Sequence, residues 1–541
     1  MKNLKIFCAL LAAGWLATPM RAQTFTPFQK STVNYPTSPG AENYCDDYSI
    51  DFASGSVTTV YSSSTENGMV SIDTGGTINT VLIEPGAANL HYGPFHRLGN
   101  KSCVMVIDNE ALVLRLSFRD NISCSETEGY DANIPAGFNQ VEVLGFVFHT
   151  LSPEHFIITT LLKAFDTGDG KWKVLVLRSD VNNLGDTATH EFYSFIVGSF
   201  AAIPADIAID PTGNVYVWGY YNKNAAGINH DLFLTKFNSA GIFQYTKMFA
   251  SYTGRDDIAS RVVFDNAGNL YAISLSEDNV APYSDHAAIF KIKTSNGKAL
   301  WTKRIGEGTA GDEHFWDVAG NPSGDGLVLT GSYVTPSGGR DGRTWRMNAA
   351  GTTLWMKTIN QNPAVATVEE CRTVCFDAIT GDVLVAGFAS NNAYIERYNT
   401  TTGVAPWPVK LYEGPESGFV LNDKMILQSA LTGDDWLLFP SENPGGVCCR
   451  STMSVFAEHV MKTGIEIESE MAVYPNPTSQ QIQIAAVGLL QIFDGAGRLV
   501  SEQLLSDEVT TLETSTWQNG CYTARVINNN VVSTRTFVII H

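Results

Sequence analysis

Short runs of alternating apolar and polar residues, broken by turns rich in Gly, Asn and Ser, occupy most of the chain. This is the period-two pattern of half-buried strands, and few stretches carry the 3.6-residue period of a helix. The pattern also repeats at long range. "IAIDPTGNVYVWG" (207–219) resembles "VVFDNAGNLYAIS" (262–274), "VAGNPSGDGLVLTG" (318–331) and "VCFDAITGDVLVAG" (374–387). The turn glycines Gly213, Gly268, Gly324 and Gly381 are 55, 56 and 57 residues apart, and "ALTGDDWLLF" continues the series at Gly433. Extended backwards, the series passes near residue 155 and reaches Gly99 in "RLGNKSCVMVID".

A second set of turns runs in phase at Gly241, Gly297, Gly351 and Gly403. Four residues after each comes a large aromatic, Tyr245, Trp301, Trp355 or Trp407, and Lys247, Lys303 and Lys357 follow three of them. Apolar strands on both sides of a Gly turn form a hairpin, and two hairpins per period form a four-stranded sheet. A lone sheet cannot bury both faces, so copies must pack on one another. The spacing suits propeller blades, and the turns count seven of them. The expected fold is therefore all-β, a seven-bladed β-propeller followed by a small C-terminal β-sandwich. The recurrent aromatic is expected to pack blade against blade.

The sequence "DPTGNVYVWG…DLFLTKFNSAGIFQYTK" resembles the bacterial β-propeller repeat called SBBP, closely over 205–300 and partly over 300–415. The resemblance implies a structural or interaction repeat and no particular activity.

Composition adds a compartment. Lys2, Lys5 and the apolar stretch Ile6 to Leu16 read as a secretory signal, with cleavage between Ala22 and Gln23. Further on there is no apolar run long enough for a membrane span. The net charge is −20, and removal of residues 1–22 takes away three basic residues and no acid. A chain so acidic repels phosphate backbones and anionic lipid surfaces, so nucleic acid is excluded as a partner. Eight of the nine cysteines lie beyond the signal, and export leads us to expect some pairing. Cys371 and Cys375, four residues apart on one strand, would be about 13 Å apart, too far to pair with each other.

The search for chemistry returns little. Nucleophile elbows, zinc-protease motifs, dinucleotide loops and phosphate loops are all missing from the sequence. No catalytic residue, metal ligand or cofactor is expected. "FDTGDGKW" (165–172) has two carboxylates but not the ligand ladder of a calcium loop, and reads as a hairpin turn. Acids recur in phase at Asp256, Asp312 and Glu369. On a propeller they would ring the channel mouth, where they could bind a cation or a basic partner. Alternatively, each caps backbone N–H groups at the start of a strand.

The C-terminal seventy residues change character. After the polar stretch "KTGIEIESE" comes "AVYPNPTS", in which Pro475 and Pro477 fix φ and stiffen the approach to a new set of short strands. The pieces Tyr474-Pro475-Asn476-Pro477-Thr478, "QIQI", "IFDGAGRLV" with Gly497, Gly520-Cys521-Tyr522 and "STRTFVII" resemble, in order and spacing, the type A sorting domain of the type IX secretion system of Bacteroidota. Cys521 stands where that family has an apolar residue, and the chain ends without the customary basic residue. The resemblance implies passage to the periplasm and recognition of the tail by the outer-membrane secretion machinery. Release, or attachment at the cell surface, would follow.

The expected organisation is a signal peptide (1–22), an N-terminal segment that could supply a ring-closing strand (23–90), propeller repeats (91–465), and a linker with the sorting domain (466–541). The functional expectation is a secreted or surface-attached binding, adhesion or structural module with a glycan or protein ligand. It leans away from an enzyme; the alternative is a secreted propeller hydrolase or lyase acting on polysaccharide or peptide.

Overall fold

A computed structural model describes residues 28–539 apart from short stretches between strands, among them 35–42, 225–228, 252–254, 278–284, 307–312, 360–368, 413–419, 443–451, 460–471, 475–479 and 495–497. Side chains are described within 103–405 and from 480 onward. Among the described residues every regular element is a β-strand. The chain forms two compact units, 24–458 and a smaller one containing 459–541.

The larger unit is a ring of antiparallel sheets, each built from four consecutive strands, with the first strand of each sheet beside the first strand of the next. In chain order the sheets span 43–85, 90–133, 138–195, 202–249, 257–305, 313–359 and 369–412. The last sheet combines Ile426–Ser429, Asp434–Glu442 and Thr452–His459 with Phe28–Asn34, the first strand of the chain, and Val420–Leu421 also pairs with Asp434–Glu442. This sheet packs on both the seventh and the first, so the ring closes. The fold is a β-propeller, and among the described residues its sheets number eight where the turn count gave seven.

The seven counted turns correspond to blades 2 to 8. Blade 1 is the additional sheet, and it arises from the segment expected to supply only a closing strand. Its strands Glu66–Ile72 and Ile78–Pro85 do flank Gly75–Gly76, but they pair within their own sheet. The closing strand is Phe28–Asn34, which lies antiparallel to Thr452–His459 with Phe28 opposite Ala457.

The repeat motif has a local cause. In blade 4, Asp210 Oδ1 accepts hydrogen bonds from the Thr212 and Asn214 amides at 2.9 and 3.0 Å, and Oδ2 accepts from the Asn214 side chain and the Tyr216 hydroxyl. Asp265 does the same in blade 5 with Ala267, Asn269 and Tyr271. The motif Asp-x-x-Gly-Asn-x-Tyr is thus a self-satisfied turn. The eight in-phase glycines of the two turn sets have φ between 64° and 83°, where a Cβ is strained.

Burial follows position in the blade. Second strands such as Val215–Asn222 and Leu270–Glu277 are buried almost throughout, since neighbouring blades cover both faces, whereas outer strands such as Lys298–Ile305 are mostly exposed. The cores therefore lie between sheets. Trp218, fully buried, packs with Leu234, Ala272 and Phe290 of blades 4 and 5, and its Nε1 donates to Ile273 O at 2.9 Å.

The recurrent aromatics clasp blade to blade, as expected. Tyr245 OH donates to Thr294 O of the next blade at 3.0 Å, Trp301 Nε1 to Ala349 O at 3.2 Å, and Trp355 Nε1 to Thr400 O at 2.9 Å. Their rings lie against Gly297, Gly351 and Gly403, where a side chain would collide with them. Lys236 and Lys291 donate to the same two carbonyls as Tyr245 and Trp301. Trp407 lies outside the described residues.

Residues 165–172 form a hairpin turn, where Lys173 pairs with Asp166 and, at 3.0 Å, with Asp169. Cys371 and Cys375 share the strand Glu369–Phe376. Cys103 and Cys371 are buried thiols, and Tyr394 OH donates to Cys371 Sγ at 2.9 Å. Burial pushes the Cys371 thiol up to about 12.

Candidate functional site

The channel wall is made by the innermost strand of each blade. In blades 4 to 7 a bulge interrupts this strand at residues 205, 260, 316 and 372. The residues just after the bulge occupy equivalent places: Asp206, Arg261, Asp317 and Thr373. Asp206 Oδ2 accepts from the Val262 amide of blade 5 at 2.9 Å, and Asp317 Oδ2 accepts from the Val374 amide of blade 7 at 3.1 Å and from Thr373 Oγ1 at 3.0 Å. Each carboxylate satisfies an amide on the free edge of the next inner strand. Burial pushes both carboxyls up, and Arg261 between them pulls both back. At the bulges themselves the Arg372 guanidinium stacks on Trp316 at 3.8 Å.

Of the acids expected at the channel mouth, Asp312 lies outside the described residues. Asp256, half-exposed, accepts from the His230 amide at 2.8 Å and lies 2.6 Å from His230 Nδ1. Glu369 is fully buried, and neither of its carboxylate oxygens has a hydrogen-bond partner among the described residues.

Strand pairing shifts the alignment by one residue. The first residues of the three inner strands are Asp257, Glu313 and Glu369, opposite Ser276, Tyr333 and Ala389. The ring position is therefore 257–313–369, with Asp256 one residue outside it. The dipeptides Asp256-Asp257 and Asp312-Glu313 hid the register, and the blade 7 turn before Gly381 is one residue longer than its counterparts.

These three acids are all buried. Asp257 Oδ2 accepts from the Ser251 amide at 2.8 Å. Glu313 Oε1 accepts from Arg343 Nη1 at 2.5 Å, and the Arg343 guanidinium covers Tyr333 at 3.7 Å. Next to Glu369, Glu370 pairs with Arg340 at 2.7 Å and with Arg372.

Burial pushes the Asp257 carboxyl up to about 6, against the hydrogen bonds from Ser276 and Ser251. Its ordinary value is near 3.9, so the folded chain binds the extra proton between about pH 4 and 6. Stability contributed by that proton is present below this window and is lost as pH rises through it. We expect Asp257→Asn to increase stability at pH 7.5 by on the order of 2 kcal/mol, seen as a higher melting temperature, and to leave it nearly unchanged at pH 4. Thermal melts of both proteins at the two values check this.

The smaller unit places the sorting residues. Ala472–Tyr474 pairs with Gln481–Ala485, which pairs with Thr510–Glu513; a second sheet runs in the order 499–505, 488–494, 520–528, 531–539. Ile482 and Ile484 of the first sheet share a core with Leu490, Ile492, Ala524, Val526 and Ile539 of the second, a two-sheet sandwich. Tyr474 ends its strand opposite Gln483, and Gly520 opens the strand that carries Tyr522. Tyr522 is buried against Trp517 at 5.3 Å between ring centroids and donates its hydroxyl to Gln518 O at 2.9 Å. Pro475, Asn476, Pro477, Thr478 and Gly497 lie outside the described residues, as do Ala22 and Gln23.

Comparison with known proteins agrees with this division. Residues 472–540 match the family described as secretion system C-terminal sorting domain. No curated protein sequence matches the chain. Similar solved structures include the WD40 domain of SCAP from fission yeast, 8% identical with a TM-score of 0.43, covering 80% of this chain and 98% of that one. The Dos1 propeller is 10% identical with a TM-score of 0.44, covering 80% and 95%. An ancestral GH74 enzyme is 14% identical with a TM-score of 0.42, covering 94% of this chain and 63% of that one. The propeller assignment rests on the sheet order itself. The protein is a β-propeller whose C-terminal segment, residues 472–540, belongs to the sorting-domain family of the type IX secretion system.

Proposed function

We propose that the chain is a cargo protein, carried through the periplasm and released or attached outside the cell, where its propeller binds a glycan or a protein. The match of residues 472–540 to the sorting family carries this reading. For the body, binding rather than turnover is supported by how its inner-strand acids are used. Asp206, Asp257, Glu313, Asp317 and Glu370 each hold a backbone amide or a guanidinium. Paired catalytic carboxylates would instead face a common substrate bond. The acids proposed to meet a ligand at the channel mouth are Asp256 and Asp312; Glu369, expected beside them, is fully buried.

Incubating the full chain with a panel of polysaccharides and proteins tests this. Retention without new reducing ends or new peptides is the expected result, and Asp256→Asn combined with Asp312→Asn should weaken it at an unchanged melting temperature. Release of products at a steady rate would replace the binding reading with a hydrolase or lyase.

A further inference from the structure

The net charge of −20 hides a strong local segregation. Beyond the first two residues of their third strands, where Asp231, Asp285 and Asp341 stand, the outer hairpins of blades 4, 5 and 6 (residues 232–250, 286–306 and 342–360) contain ten Lys and Arg residues and no Asp or Glu. Five of the ten have structural tasks. Lys236 and Lys291 clasp the next blade, Arg304 donates to Ser251, Arg343 pairs with Glu313, and buried Arg346 donates to Leu327 O. The other five are Lys247, Lys293, Lys298, Lys303 and Lys357. None of them is in an ion pair with a described carboxylate, although Lys357 acts on Glu396 at longer range. Lys247 and Lys357 lay their stems on Gly297 and Gly403 of the next blade, so these ammonium groups are carried at the rim, between blades.

The same hairpins carry the propeller's exposed apolar residues. Among the described residues of the body, eight large hydrophobic side chains are exposed, and all but Leu151 lie on the outer hairpins of blades 4 to 7. Leu300 is 58% exposed and Met356 47%, with Phe243, Met248 and Leu354 beside them in the outer strands. In each outer strand the residues alternate faces. The aromatic and lysine of one blade (Trp301, Lys303) therefore border the same rim groove as the apolar pair of the next (Leu354, Met356).

Lysines without carboxylate partners, interleaved with exposed Leu, Met and Phe, make the chemistry of a surface that lies on a membrane. A purely polyanionic partner accounts for the lysines and leaves the apolar residues in water. The screening length of about 8–10 Å at physiological salt limits how far the more distant acids of the ring act on this sector. We propose that the outer hairpins of blades 4 to 6 form a docking surface for a lipid leaflet with anionic headgroups, the lysines meeting the headgroups and Leu300, Leu354 and Met356 entering the interface. The inference is independent of the ligand proposed at the channel mouth.

Co-sedimentation of the full chain with vesicles of phosphatidylcholine and phosphatidylglycerol (70:30), against phosphatidylcholine alone, tests it. Binding to the anionic vesicles that weakens between 0.05 and 0.5 M salt is expected. The triple variant K247Q/K303Q/K357Q should bind about 100-fold more weakly, from roughly 1 kcal/mol per lysine near an anionic surface. The apolar variant L300S/L354S/M356Q should also lose binding, with both variants melting like the wild type. No binding to the anionic vesicles would overturn the proposal. So would an apolar variant that binds as tightly as wild type, or complete displacement by dextran sulfate with no loss in that variant; either marks a soluble polyanion site instead.

Discussion

Deletion of residues 471–541 is expected to leave a folded propeller inside the cell instead of outside it. The sorting unit has its own core, built from Ile482, Ile484, Leu490, Ile492 and their neighbours, and the body's cores lie between its own blades. Removing the tail therefore takes away a recognition element without opening the ring. Immunoblots of medium, membrane and periplasmic fractions read the outcome, and a protease-resistance assay shows that the retained body is folded. Truncated protein in the medium at the wild-type level would sink the sorting role. A narrower variant, Tyr522→Ala, removes a buried ring packed against Trp517 and should cause a similar retention by unfolding the sandwich.

The largest effect on the body itself is expected from Trp355→Ala. The indole sits between blades 6 and 7, packs at a tilt against Tyr398 with ring centroids 5.5 Å apart, covers Gly403 and donates to Thr400 O. Truncating a buried Trp costs about 3–5 kcal/mol, against a total stability of about 5–15 kcal/mol for a domain. In a ring of sheets each interface supports only its neighbours, so weakening one gives the ring a place to open. Trp355→Phe should cost less, keeping most of the apolar contact and losing one hydrogen bond of about 1 kcal/mol. Guanidinium unfolding midpoints for the three proteins give the comparison, and equal midpoints would mean that the clasp contributes nothing.

The repeat was legible where side chains satisfy their own turn. Asp210 and Asp265 hold the amides that follow them, so Asp-x-x-Gly-Asn marks a blade wherever it occurs. Blade 1 was missed because its turn, "IDFASGSV", keeps the Asp and the Gly but has Ser56 where Asn214 and Asn269 stand. Its Asp51 and Gly55 also stand four residues apart, as Asp377 and Gly381 do in blade 7, and not three as in blades 4 and 5, so a search for Asp-x-x-Gly passes over it as well. The acid ring was legible as a recurrence but not in register. Bulges and a longer turn move residues relative to a glycine marker, and only strand pairing shows that Asp257, and not Asp256, shares a place with Glu369. Net charge misled differently. A sum over the chain cannot show that three hairpins carry acids only at their starts, because the segregation follows strand position and not sequence blocks.

The closing strand constrains how the molecule comes into being. Phe28 is paired with Ala457, so the eighth blade needs residues from both ends of the body. A chain emerging from its N-terminus can stack blades 1 to 7 but leaves two open edges until Thr452–His459 is made. Contacts this distant in sequence form slowly. We read the late closure as a built-in delay, in which the body stays unlocked until its last strand arrives. The residues that complete the ring are followed within a few turns of chain by the sorting unit, so a closed propeller and a finished address become available at nearly the same moment.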